Sequence, residues 1–184
     1  MRGITIYLHS KIILLQLHYT CPADIKKHQK HYWKKDSHNR RAMGGAIELS
    51  HLIIYYSFSG KTKKIAEDMA KKESADIFEI EDIKPFGKLK AYTAGILASI
   101  KGKAWKVKPP DVEISKYDKI TMFAPVWADN PPPAFNAMLE YLPTGKPISI
   151  FMISASGKSN CKDRIGSVIK NKGCTLESFE DIKT

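Results

Sequence analysis

The chain has 184 residues, 43% of them apolar and 27% charged, enough for one ordinary globular core. That composition excludes collagen-like, coiled-coil and low-complexity architectures, and no apolar run approaches the roughly 18 residues a spanning helix needs. The formal net charge of +11 is unevenly placed: residues 1–46 hold nine Lys/Arg against two Asp (+7), and residues 47–184 hold 21 against 17 Asp/Glu (+4). Two compositions are joined. A basic N-terminal extension over 1–46, disordered or dispensable, precedes one domain over 47–184. Cys21, Cys161 and Cys174 form no disulfide framework and suit a reducing cytoplasm.

The extension opens on an apolar stretch, Ile4 to Leu17, broken by His9, Lys11 and Gln16. It is too interrupted for a secretory signal. Lys26 to Lys35 is a basic run with Tyr32 and Trp33 interleaved, a composition that binds phosphate backbones in a salt-sensitive way. A solvated basic arm is the commoner meaning of such a run, so nucleic-acid binding ranks last among the functions considered. Cys21, His28 and His31 lack a fourth ligand and the usual paired spacing of a zinc site. Met43 offers a second start just ahead of the first strand.

From residue 48 the pattern becomes regular. Leu52 to Tyr56 is a short continuous apolar run, as in a strand buried on both faces. A hydroxyl-rich loop, Ser57-Phe58-Ser59-Gly60-Lys61-Thr62, opens into a helix whose stripe is Ile65, Ala66, Met69 and Ala70. Residues 75–80 read as a second strand. Leu89, Tyr92, Ile96, Leu97 and Ile100 have the spacing of a second helix's buried face. After a basic connection over 102–110, Ile120 to Ala124 reads as a third strand stopped by Pro125. Pro131 to Pro133 then stand where a helix begins, carried inward by Phe135, Met138, Leu139 and Leu142. Ile148 to Ile153 gives a fourth strand, Ile165, Val168 and Ile169 a fourth helix, and Leu176, Phe179 and Ile182 a last strand. Alternating strands and helices predict an α/β fold: a doubly wound, five-stranded parallel sheet in a three-layer sandwich.

In such a sheet, ligands bind beyond the carboxyl ends of the strands. Three loops leave those ends. Ser57 to Thr62 can surround a phosphate with N–H groups and hydroxyls at a helix N-terminus, or simply cap the helix through Ser59. It is no ATP-type P-loop, because the position of that motif's first glycine is Tyr55. Pro125-Val126-Trp127-Ala128-Asp129-Asn130 places an aromatic at a strand's mouth, for stacking or for filling the rim. Ser154-Ala155-Ser156-Gly157 is a small polar turn after the fourth strand.

These residues carry a resemblance. Tyr55 to Thr62 resembles the first strand and phosphate loop of the flavodoxins, whose pattern is Ser/Thr-x-Ser/Thr-Gly-x-Thr. Ala124 to Trp127 with its proline-led helix resembles their second flavin loop, and Ser154 to Gly157 is similar to their third. The resemblance covers about residues 48–184 and implies non-covalently bound FMN. Ser57, Ser59, Gly60, Lys61 and Thr62 would hold its phosphate, with Phe58 in the same loop. Trp127 would stack on the ring, and Pro125, Val126, Ala128, Asp129, Asn130, Ser154, Ala155, Ser156 and Gly157 would flank it, with Asp129 lowering the potential. No side chain is implied as acid, base or nucleophile.

The implied function is electron transfer with a redox partner protein or an NAD(P)H-linked reductase. The alternative is an NAD(P)H-dependent flavin or quinone reductase on the same scaffold. Two departures carry expectations. The second loop lacks the glycine common in the family, and positive φ is harder for Ala128 than for Asp129 or Asn130. The family's last helix has no counterpart, so Lys11 to Leu17 or a second subunit is expected over that sheet face.

Overall fold

β1 (His51–Tyr55) is buried at all five positions, as its unbroken apolar run requires of a central strand. Around it, a computed structural model describes residues 49–83 and 91–184. α1 (Lys61–Glu73) returns the chain to β2 (Asp76–Glu79). A π-turn over Ala91–Gly95 runs into the short α2 (Ile96–Ile100). β3 (Lys119–Pro125), α3 (Pro133–Leu139), β4 (Pro147–Ser154), α4 (Lys162–Asn171) and β5 (Thr175–Lys183) complete the order.

The five strands form one parallel sheet in the order β2-β1-β3-β4-β5. Strand polarity and alternation agree with the sequence reading. The chain steps from β1 outward to β2 and then crosses back to β3, so the topological switch lies between β1 and β3. Their carboxyl ends deliver the loops after Tyr55 and Pro125 side by side.

Period-two alternation divides the core between the two faces. On one face Leu52, Ile54, Met122, Ile150 and Met152 pack with Phe135 and Met138 of α3 and Ile165 and Ile169 of α4. On the other, Ile53, Tyr55, Phe123 and Ile153 pack with Ala66 and Ala70 of α1. Phe123 and Phe151 stack at 4.9 Å between centroids and 12° between planes. Each fully buried large side chain contributes about 1.5–3 kcal/mol.

One expectation is reversed. Leu97 and Ile100, predicted on the buried face of the second helix, are 59% and 55% exposed, whereas Ala98 and Ser99 are buried. The π-turn is the cause, because its extra residue per turn rotates the following helix away from the 3.6-residue phase. Leu89, like the extension over 1–46 and its metal, nucleic-acid and sheet-covering readings, lies outside the described residues. Tyr92 has its backbone alone described.

Candidate flavin site

A cavity of about 450 Å³ opens at the switch point, lined from all three predicted loops. Such a volume suits a cofactor-sized ligand. The first loop contributes Phe58, Ser59, Lys61 and Thr62, the second Pro125, Val126, Trp127 and Ala128, and the third Ser154 and Ala155. Ser57, Gly60, Asp129, Asn130, Ser156 and Gly157 of the same loops are not among its lining residues. Ile96, Ile153 and Thr184 also line the cavity, and the sequence reading did not place them there.

The first loop is built around Gly60, whose φ of +87° no L side chain adopts easily, with no atom within 4 Å of where a Cβ would be. Ser57 Oγ accepts from the Gly60 N–H at 3.1 Å. Gly60, not Ser59, is the N-cap of α1, and no side chain caps the helix. Lys64 N–H bonds to Gly60 O at 3.1 Å. The N–H groups of Lys61, Thr62 and Lys63 have no acceptor among the described residues. A helix end with free N–H groups, adjacent hydroxyls and an ammonium group is the donor set an anionic phosphate requires.

The second loop is a reciprocal turn. Trp127 N–H donates to Asn130 O at 2.7 Å, and Asn130 N–H donates to Trp127 O at 3.1 Å. Its central residues, Ala128 and Asp129, have φ of +47° and +62°, the pattern of a type I′ turn. Ala128 therefore adopts the left-handed conformation that the sequence reading held to be hard for it. Asp129 is not among the lining residues, and its Oδ2 accepts from Asn160 Nδ2 at 3.4 Å.

Trp127 is fixed by edges. Tyr56, Phe58 and Trp105 meet its indole at centroid distances of 6.2, 5.6 and 6.4 Å and interplanar angles of 72–88°, the edge-to-face geometry aromatic pairs prefer. Tyr56 is anchored in turn by its hydroxyl, which donates to Asp82 Oδ2 at 3.0 Å. Burial raises the Asp82 carboxyl above its ordinary range, against the hydrogen bond from Tyr56, which lowers it.

The third loop is self-satisfied. Ser154 Oγ accepts from the N–H groups of Gly157 (2.9 Å) and Lys158 (3.2 Å), so Ser154 spends its hydroxyl on the turn. Val126 N–H bonds to Ile153 O at 2.9 Å, tying the second loop to the strand before the third. Ile96 reaches the cavity because the π-turn swings α2 over the indole, a deviation that apolar spacing does not encode.

A doubly wound parallel sheet whose three loops converge beyond the carboxyl ends of its strands defines a doubly wound α/β protein. The family model described as Flavodoxin matches residues 50–174, and the chain belongs to the flavodoxin family. The solved structures similar to the chain include three flavoproteins. For a putative flavoprotein from Bacteroides eggerthii the TM-score is 0.61 at 18% identity, over 72% of this chain and 87% of that one. A flavoprotein from Lactobacillus acidophilus, solved in complex with FMN, has a TM-score of 0.58 at 22% identity, over 71% and 91%. A putative flavoprotein from Bacteroides uniformis has 0.58 at 18% identity, over 71% and 88%. No curated protein matches the chain. Among the described residues no helix is long and apolar enough to cross a membrane.

Proposed function

We propose that this protein binds FMN non-covalently in the cavity at the switch point and acts in electron transfer. The observation that carries the reading is the uncapped N-terminus of α1. The first residues of that helix, Lys61 and Thr62, line the same cavity as Phe58 and Trp127. One end of that site suits a phosphate and the other a flat aromatic ring. The similarity to a flavoprotein solved with FMN supports the choice of cofactor.

FMN, when bound, supplies the reversible uptake of electrons. The chain's own residues bind and orient it. The N–H groups of Lys61, Thr62 and Lys63, with the Ser59 and Thr62 hydroxyls and the Lys61 ammonium, would hold the phosphate. The edge contacts of Tyr56, Phe58 and Trp105 keep the Trp127 indole from turning, so the wall is formed before the ring arrives. Main-chain groups of the second and third loops would meet the ring edges. The electrons would pass to or from a redox partner protein or an NAD(P)H-linked reductase.

Absorbance after desalting tests this. Flavin bands are expected to persist with added FMN, and Trp127→Ala is expected to weaken FMN by about ten- to a hundredfold, by analogy with the 1–3 kcal/mol of aromatic–base stacking. Failure of the wild type to retain FMN would refute the assignment. Rapid bleaching of the bound flavin by NADPH alone would favour a reductase over a carrier.

A further inference from the structure

The two aliphatic side chains that the π-turn rotates outward, Leu97 and Ile100, do not stand alone. Just past Ile100 a cleft of about 350 Å³ runs between the end of α2, α3 and α4. Lys101, Arg164, Val168 and Lys172 line it, and so does Glu140. Val168 is itself 36% exposed. The two sides of the cleft touch, since a Cβ on Gly102 would stand 2.1 Å from Arg164 Nη1. Single exposed aliphatics need no explanation, but a group of them rimmed by charge marks an interaction surface.

The positive charge of the domain is gathered in the segments that form this face. Residues 96–106 and 158–172 together hold eight Lys/Arg against one Asp, a net +7. The rest of residues 47–184 holds thirteen Lys/Arg against sixteen Asp/Glu, a net −3. The face also adjoins the candidate flavin cavity. Ile96, which precedes Leu97, lines that cavity, and Arg164 Nη2 donates to Asn130 Oδ1 of the second loop at 3.1 Å.

We propose that this face docks an acidic redox protein. Leu97, Ile100 and Val168 supply the apolar centre of the contact, and Lys101, Lys103 and Arg164 supply charge complementary to the partner. An aliphatic centre ringed by cations suits a protein surface, whereas a phosphate backbone would engage the cations alone. The inference rests on the cavity taking FMN, the source of the electrons. Reduced FMN gives up two electrons and two protons; two one-electron centres take the electrons, and solvent takes the protons.

The test follows oxidation of the reduced, FMN-loaded, full-length protein by anaerobic stopped-flow absorbance. The probes are an acidic blue-copper protein and a basic c-type cytochrome, both one-electron acceptors, with neutral benzoquinone as control. Added salt is expected to slow the acidic acceptor and not the basic one. Lys101→Glu/Lys103→Glu is expected to slow the acidic acceptor about tenfold at low salt. Leu97→Ser/Ile100→Ser is expected to slow it at every salt concentration. Lys71→Glu/Lys72→Glu makes the same change of charge in the last turn of α1 and is expected to keep most of the rate. Benzoquinone rates and FMN retention are expected to be unchanged in all three, which separates docking from damage to the flavin site. Equal slowing by the two lysine pairs, or no loss in the apolar pair, would overturn the inference. So would salt-sensitive binding of duplex DNA that depends on Lys101 and Lys103 without any acceptor preference, which would assign the face to nucleic acid. A wild type that retains no FMN would refute the flavin reading before any acceptor is added, and the docking inference with it.

Discussion

A Cβ on Gly95 would stand 2.7 Å from Cζ3 of Trp127 and 3.1 Å from Cη2 of Trp105. The last residue of the π-turn is therefore the floor on which the indole lies. A real Cβ does not approach an aromatic carbon that closely, and the edge contacts of Tyr56 and Phe58 leave the ring nowhere easy to go.

Gly95→Ala follows directly from this contact. In an open helix the change would gain about 1 kcal/mol of helix propensity. Here the overpacking cost of about 1–3 kcal/mol opposes it. A lower melting temperature and weaker FMN retention are expected, both reported by thermal scans of the apoprotein and the FMN-loaded protein. Unchanged melting would mean that α2 is free to lift off Trp127.

Ala128 carries the strain of the second loop. Its φ of +47° costs a non-glycine residue about 1–2 kcal/mol, and a β-branched side chain suffers more. Ala128→Val is expected to lower stability by about 1–3 kcal/mol. Ala128→Gly is expected to be neutral or slightly stabilising, since relief of strain is offset by the greater freedom of the unfolded chain. Denaturant titration of both variants checks the order. Equal stabilities would mean that the turn relaxes without the left-handed residues.

The legible parts of the fold are those set by periodicity. β1, β3 and β4 were predictable from their apolar runs, and α3 from Pro133 at its start and from Phe135 and Met138, all buried. All three cavity loops were legible because a parallel sheet leaves them at one end. α2 was not. Its sequence has good 3.6-residue spacing, but the π-turn before it shifts the phase, exposing Leu97 and burying Ser99, whose hydroxyl has no partner among the described residues. Backbone strain at Ala128 was also illegible, because it comes from Asn130, Asn160 and Arg164, and the last two are more than thirty residues away. Ser99→Ala tests the reversed helix face: removing an unpartnered buried hydroxyl is expected to be neutral or to stabilise by about 1 kcal/mol.

Asp82 carries a cost at neutral pH. Its Oδ1 is buried without a partner among the described residues while Oδ2 accepts from Tyr56, and burial raises its carboxyl above the ordinary 3.8. A raised carboxyl pKa means that the folded protein holds its proton longer than the unfolded chain. Stability from this group is thus present below about pH 3.8 and lost as pH rises through the folded value. Asp82→Asn removes the titration. The stability of the variant relative to wild type is expected to grow between pH 3.5 and pH 7, read by urea titration at both. A difference independent of pH would mean that the carboxylate ionises normally.

His51 acts in the opposite sense at the far end of the sheet. It is 8% exposed. Its Nδ1 lies 3.1 Å from Glu73 Oε2 and its Nε2 lies 2.8 Å from Thr121 Oγ1. A neutral ring with the proton on Nδ1 satisfies both, donating to Glu73 and accepting from Thr121. Burial, and then the Lys119 charge, lower its pKa below 6.5 against the opposing pull of Glu73 and Glu177. The unfolded chain therefore takes up a proton first as pH falls. Stability from this group is complete above pH 6.5 and is lost as pH drops from there through the folded value, at a slope of at most about 1.4 kcal/mol per pH unit. His51→Gln can keep both hydrogen bonds but cannot titrate, so it is expected to lose less stability than wild type between pH 7 and pH 5. Parallel acid-side losses in the two proteins would assign the pH dependence to other groups.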